Sequence, residues 1–174
     1  MRKEVKQRMD ETEKYMPEVK EILLSLAPKI IRIVDATPEE DMHMGIDAWF
    51  KLDSGSVAYR VITSRDLWDK YHAVMIRCST KYSKNSEYQK IIDNNFATYC
   101  LYTWAGTTSE NKLHAWLLYD VTKLRKTCEF FEARLQGFND GGTYITINVS
   151  DLASNGCIIA CNDVVRDYLF SLVE

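Results

Sequence analysis

At 174 residues, with 46% hydrophobic and 27% charged side chains, seven glycines and three prolines, the chain has the size and composition of one globular domain. That composition excludes disordered, collagenous and repeat architectures, and a net charge of −3 argues against a general polyanion binder. The charged Met1–Lys6 stretch has no apolar run behind it, and no run of about eighteen apolar residues occurs anywhere; neither a signal peptide nor a membrane span is expected, and the expected location is cytoplasmic.

From Glu11 to Leu26, apolar Met16, Val19, Ile22, Leu23 and Leu26 recur at three- and four-residue steps, the pattern of an amphipathic helix that Pro28 would end. Ile30–Val34 reads as a short strand or a last turn, and Asp35–Asp41 as an acidic loop. Gly45–Leu52 and Ser56–Thr63 read as two strands of a hairpin around Asp53, Ser54 and Gly55. Ala73–Cys78 is a third strand, Ser83–Asn94 a helix, and Ala97–Trp104 and Leu113–Tyr119 two more strands rich in aromatic residues. Asp120–Leu135 reads as a helix with Leu124, Cys128, Phe131 and Leu135 on one stripe, and Gln136–Gly142 as a loop. Strict alternation makes Thr143–Val149 a strand, followed by Ser150 and Asp151 as a turn or helix cap, a short strand at Cys157–Ala160 and a closing helix over Cys161–Val173. The expected fold is therefore α+β, a single domain over 1–174 with a mixed sheet flanked by helices.

Alternation in the hairpin sorts its side chains into two faces. Gly45, Asp47, Trp49 and Lys51 share one side of the first strand; Ala58, Arg60 and Ile62 share one side of the second. If Asp47 and Arg60 face the same way, a carboxylate and a guanidinium lie on adjacent strands with Asp41 and His43 just upstream. A cross-strand ion pair explains such an arrangement structurally, since it stabilises a sheet by roughly 0.2–1 kcal/mol. The chemical alternative is a metal-dependent phosphodiesterase, which needs carboxylates to hold a hard cation and a fixed positive charge to stabilise phosphate.

The hairpin with its preceding helix resembles the core of the PD-(D/E)XK nuclease superfamily, including its small phage-type members. The resemblance rests on Asp41 and Met42, the Gly45-Ile46-Asp47 step, and Val57-Ala58-Tyr59-Arg60-Val61 after a tight turn. It covers about residues 11–120, leaving 121–174 as a C-terminal helix-strand-helix extension. It implies a restriction-endonuclease-like core of helix, three-stranded meander, helix and two strands. Asp47, assisted by Asp41, would take the place of the metal-binding aspartate, Mg²⁺ would be the cofactor, and Arg60 would replace the catalytic lysine. Arg65, Arg77 and Lys81 would contact the nucleic-acid backbone, DNA more than RNA. Ala58 falls where the second acidic ligand should stand, so the site must recruit Asp41, His43 or a helix glutamate such as Glu18 or Glu21. Arginine binds phosphate bidentately but stays protonated, so Arg60 cannot be a general base.

Other signals point to scaffold. The five cysteines, Cys78, Cys100, Cys128, Cys157 and Cys161, are odd in number and lack metal-binding spacing, which reads as reduced thiols. His43, His72 and His114 are scattered, and Gly141-Gly142 lacks the lysine of a phosphate loop. Tyr99, Tyr102, Trp104, Trp116 and Tyr119 could stack bases but fall at strand spacing, where aromatic residues build cores. Between residues 60 and 90, basic residues outnumber acidic ones seven to three, enough for a local basic face. Two functions follow: a nuclease, or a nuclease-like fold without chemistry that binds or inhibits a nucleic-acid enzyme or another protein, with homodimerisation open in either case.

Overall fold

The helical spacing near the amino terminus produces α1, Met16–Leu26, which buries Val19, Ile22 and Leu23 along one side. The computed structural model describes residues 12–26, 33–40, 48–50, 55–63, 67–79, 86–106, 112–127, 134–137 and 143–173. After α1 come β1 (Ile33–Asp35), β2 (Ala48–Phe50) and β3 (Ser56–Ile62), then α2 (Leu67–Tyr71), β4 (Ala73–Ser79) and α3 (Glu87–Ile92). The chain continues through β5 (Tyr99–Ala105), β6 (Leu113–Asp120), α4 (Val121–Thr127), β7 (Arg134–Gly137), β8 (Thr143–Asn148), α5 (Val149–Ser154), β9 (Ile158–Cys161) and α6 (Asp163–Ser171).

The protein is α+β, with a mixed sheet flanked by helices. Its six-stranded sheet has the order β1-β2-β3-β5-β6-β9. β1, β2 and β3 form an antiparallel meander, β5 lies parallel to β3, and β6 and β9 run antiparallel to their neighbours. A parallel neighbour requires a crossover rather than a tight turn, and here the crossover from β3 to β5 contains α2, β4 and α3.

Several expected elements are corrected. Ala73–Cys78 is a strand but not part of the meander: β4 belongs to a separate three-stranded sheet of order β4-β8-β7, and β1 supplies the meander's third strand. Of the helix expected over Asp120–Leu135, α4 occupies Val121–Thr127, while Arg134–Gly137 is a strand, pairing Leu135 with Ile145. The loop at Asp35–Asp41 contains helical turn at residues 38–40, opened by a reciprocal cap in which Thr37 N–H donates to Glu40 Oε2 (2.7 Å) and Glu40 N–H to Thr37 Oγ1 (3.3 Å). α2 and α5, short elements each anchored by a buried Trp68 or Leu152, were not anticipated as helices.

The large sheet separates two apolar layers. On one face Tyr15 and, from α1, Val19, Ile22 and Leu23 lie against Ala48, Val57, Leu101 and Leu118. The other face packs Ala58, Cys100, Tyr102, Trp104, Leu117 and Tyr119 against the small sheet and the remaining helices, through residues including Trp68, Ile76, Ile91, Leu124, Ile145 and Val165. At roughly 1.5–3 kcal/mol for each large apolar side chain removed from water, these layers dominate the stabilisation of the fold. Among the described residues, no helix is long and apolar enough to cross a membrane.

Candidate functional site

β3 is buried on both faces at its start, and its period of two sends Val57 toward α1 and Ala58 and Arg60 toward the second layer. β2 is in register with it, Ala48 opposite Val57 and Trp49 opposite Ser56. Ala48 therefore shares the α1 face, and Trp49 packs into the layer that contains Ala58. Trp49 and Arg60 thus lie on the same side of the sheet. Trp49 Nε1 also donates to Glu40 Oε1 (3.0 Å), tying together the described residues on either side of segment 41–47. Asp41, His43 and Asp47 themselves lie outside the described residues, as do Arg65 and Lys81.

Arg60 points into the layer between the sheets, where its Nη2 donates to Oε2 of Glu87. The two side chains are 28% and 10% exposed, so the carboxylate is nearly enclosed and only part of the arginine side chain reaches solvent. Glu87 occupies the first turn of α3. Its helix is started by Ser86, whose hydroxyl accepts from the Gln89 N–H (3.1 Å). The same Glu87 Oε2 accepts the backbone N–H of Arg77 from β4 (3.3 Å), so one carboxylate joins the large sheet, the small sheet and α3. Beside Glu87, the Arg60 pKa rises further above its ordinary range against the opposing effect of burial, so Arg60 is a fixed cation at any accessible pH.

The walls of this centre come from neighbouring strands. Arg60 lies beside Tyr102, and Ala58 beside Cys100, in the parallel pair β3–β5; Cys100 in turn faces Tyr119 across β5–β6. The Tyr102 hydroxyl accepts the Met75 N–H of β4 (3.2 Å), a second link between the sheets. Burial pushes the pKa of both tyrosines above the usual phenol range, which keeps them neutral; the nearby Glu87 charge acts in the same direction. The Tyr119 side chain is fully buried, with the Cys100 thiol beside it and no well-formed hydrogen bond to its hydroxyl.

The sequence-predicted residues thus separate. Arg60 is brought into a polar centre, and Arg77 reaches the same centre through its backbone. The Arg77 guanidinium lies 5.6 Å from the centroid of the Tyr144 ring, and its Nε is buried without a partner. Glu18 is held elsewhere: its Oε2 accepts the Leu113 N–H (2.8 Å) on the α1 side, and Glu21 is exposed. Tyr102, Trp104 and Tyr119 are core residues rather than a base-stacking surface, each 1% exposed or less. His72 stacks on Tyr168 with centroids 4.0 Å apart, while His114 Nε2 is 3.9 Å from Asp69. Cys78, Cys100, Cys157 and Cys161 are free thiols, and burial raises the pKa of Cys78, Cys157 and Cys161, which makes them weak nucleophiles at neutral pH.

Glu87 is the member that sequence reasoning missed. In the sequence Glu87 is one more acid in a basic stretch, because its partner stands 27 positions earlier. The available signal is the Ser86-Glu87 pair inside the helix expected over Ser83–Asn94, which can mark a helix terminus but not what that terminus touches. No family model, no curated protein and no solved structure matches this chain.

Proposed function

We propose that the protein is a metal-dependent nuclease that hydrolyses nucleic-acid phosphodiesters, with Arg60 as the fixed cation that receives phosphate. The observation that carries this reading is the position of Arg60. It stands on the side of β3 that shares a layer with Trp49 of β2, next to a carboxylate and partly open to solvent. The chain order supports the same reading: α1, an antiparallel meander, a helix-containing crossover, then β5 parallel to β3 and β6 antiparallel to β5.

In the reaction a water oxygen bonds to phosphorus as one phosphorus–oxygen ester bond breaks, and a proton reaches the leaving alkoxide. Arg60 binds the non-bridging oxygens through its planar fork, where charge accumulates. Being permanently protonated, it takes no part in proton removal. Asp47 and Asp41 would hold Mg²⁺, whose hard oxygen preference suits carboxylates; among the described residues no group of three or more His, Cys, Asp or Glu side chains is placed to hold a metal ion. When bound, the ion supplies positive charge for the phosphate and the attacking water. Arg65, Arg77 and Lys81 would follow the nucleic-acid backbone, DNA in preference to RNA.

A second reading is favoured by the same ion pair. Glu87 already neutralises Arg60, and Ala58 is buried at 4% exposure, so a fold without chemistry would act as a binding or inhibitory partner of a nucleic-acid enzyme or another protein. The deciding assay incubates the protein with single-stranded, double-stranded and branched DNA and with RNA, in Mg²⁺ and in Mn²⁺. Asp47→Ala and Arg60→Gln are run in parallel. Metal-dependent cleavage that falls by roughly a hundredfold or more in both variants is expected, since a lost electrostatic donor costs about that much. Cleavage that persists in Asp47→Ala, or none by the wild-type protein, ends the enzymatic reading; salt-sensitive binding without cleavage selects the second.

A further inference from the structure

The small sheet β4-β8-β7 has two faces of different character. Val74 and Ile76 of β4 and Ile145 and Ile147 of β8 belong to the apolar layer against the large sheet. Alternation therefore sends Met75, Arg77, Tyr144 and Thr146 to the opposite face, away from the Arg60 centre. We infer that this outer face is a separate binding site for single-stranded nucleic acid, with Tyr144 as the ring on which a base stacks and Arg77 as the cation that meets phosphate. The inference rests on the nucleic-acid part of the proposed function and is independent of any chemistry at Arg60.

Charge, shape and unused hydrogen-bonding capacity agree on such a ligand. The three strands of the small sheet carry two arginines, Arg77 and Arg134, and no aspartate or glutamate. Register sets Arg77 opposite Tyr144 and places Thr146 between Met75 and Arg134, so the two arginine positions flank β8 from its two neighbours. The Arg77 guanidinium lies 5.6 Å from the centroid of the Tyr144 ring, a cation beside a flat aromatic surface. Among the described residues it has no carboxylate partner. Of the three buried side-chain polar atoms without a hydrogen bond among the described residues, two, Arg77 Nε and Thr146 Oγ1, are on this face. A native structure leaves such atoms where water or a ligand completes the site. A phosphate oxygen accepts from a guanidinium and from a hydroxyl alike.

The strand must be unpaired. In a duplex the bases are stacked on one another, so a ring fixed on a sheet has no base face to meet, whereas a single strand presents bases and phosphates together. Tyr144 is also available where the aromatic residues of the large sheet are not. Tyr102, Trp104 and Tyr119 are core side chains, but Tyr144 is only half-buried and belongs to neither apolar layer. An acidic protein segment would answer the charge of Arg77 alone.

The test measures fluorescence polarisation of short labelled oligo(dT) and oligo(U) with the full chain in EDTA, so that no metal-dependent cleavage intervenes. Both single strands should bind, with affinity falling as salt rises, and a duplex of equal length should bind more weakly. Tyr144→Ala should weaken single-strand binding by roughly tenfold or more, the usual loss for one stacked base, while Tyr144→Phe keeps the ring and should stay within about twofold of wild type. Arg77→Gln should weaken binding and reduce its slope against log salt by about one. Thermal unfolding checks that each variant is folded, and ultraviolet cross-linking to an iodouracil oligonucleotide should place the adduct on the peptide that contains Tyr144. No single-strand binding by the wild-type chain, stronger binding of the duplex, or wild-type affinity in folded Tyr144→Ala overturns the inference. If Tyr144→Ala does not fold, the cross-link decides, and an adduct elsewhere overturns it. Binding of polyglutamate with no binding of either oligonucleotide assigns the face to an acidic protein partner and overturns it too. Binding lost in Arg60→Gln but kept in Tyr144→Ala places the strand at Arg60, which ends the inference and leaves the nuclease reading intact. Tyr144-dependent binding in a protein that cleaves nothing upholds the inference and removes the nuclease reading.

Discussion

The two faces of the six-stranded sheet are built from alternate residues of the same strands, yet they are held together differently. The α1 face is apolar: Val19, Ile22 and Leu23 meet Val57, Leu101 and Leu118, and among the described residues α1 is the helix that covers it. The opposite face carries Arg60, Tyr102 and Tyr119 among its apolar residues and draws its cover from α2, α3, α4, α6 and a second sheet. An apolar face needs volume filled, which any well-shaped helix provides. A face with a charge in it needs a particular partner atom at a particular place, and Glu87 is that partner.

The largest effect that would expose this difference is expected on the polar face. Arg60→Ala leaves the Glu87 carboxylate with the Arg77 N–H as its remaining donor among the described contacts, and should cost about 3–5 kcal/mol by urea unfolding. Arg60→Met/Glu87→Met, which replaces both charges by apolar side chains, should recover most of that loss. A cost below about 1 kcal/mol for Arg60→Ala would mean that the pair is solvated like an ordinary surface bridge. On the apolar face, Leu23→Ala removes a side chain only 2% exposed and should cost about 3 kcal/mol, with no charge variant able to restore it. Near-neutral behaviour would show that α1 is not docked on the sheet.

A smaller effect is expected where α6 joins the sheet. Asn162 caps α6 by accepting the Val165 N–H (3.3 Å), and it also accepts the Trp116 N–H (3.3 Å) and donates to the His114 carbonyl (2.9 Å). Asn162→Ala should therefore lower stability by about 1 kcal/mol, the usual cost of a lost cap, seen as a fall in melting temperature; an unchanged melting temperature would show that water replaces all three contacts.

The smallest effect concerns His72, stacked on Tyr168 and edge-on to Trp68. Burial lowers its pKa below the ordinary 6.5, against the opposing pull of Asp69. A lowered histidine pKa means that the folded state prefers the neutral ring. Stability is then full above about pH 6.5 and declines as the pH falls from there toward the folded-state pKa. Melting temperatures across this window should fall slightly more for the wild-type protein than for His72→Asn. Asparagine tolerates the left-handed backbone (φ 43°) found at this position, and identical pH profiles would count against the assignment.

Much of the architecture was legible because its causes are local. The steps from Val19 to Ile22 to Leu23 gave α1, alternation gave β3 and β8 within a residue, and the aromatic runs gave β5 and β6. The cap formed by Thr37 and Glu40 is equally local: a Thr-x-x-Glu spacing inside the acidic Asp35–Asp41 stretch, whose composition alone reads as loop. The strand at Arg134–Gly137 was hidden for the opposite reason. Leu124, Cys128, Phe131 and Leu135 fit a helical stripe, but pairing of Arg134–Gly137 with Thr143–Thr146 in the small sheet overrides local preference.

For the candidate site the division is sharper. By itself the sequence determined that Ala58 and Arg60 share a face of one strand, because a strand's side-chain period is a property of its own backbone. Only the tertiary structure decided that this face turns inward, that β4 leaves the meander for another sheet, and that Glu87 from α3 meets the guanidinium. Those are contacts between segments far apart along the chain, chosen by how two sheets and their helices bury apolar surface together; no spacing within a single element encodes them.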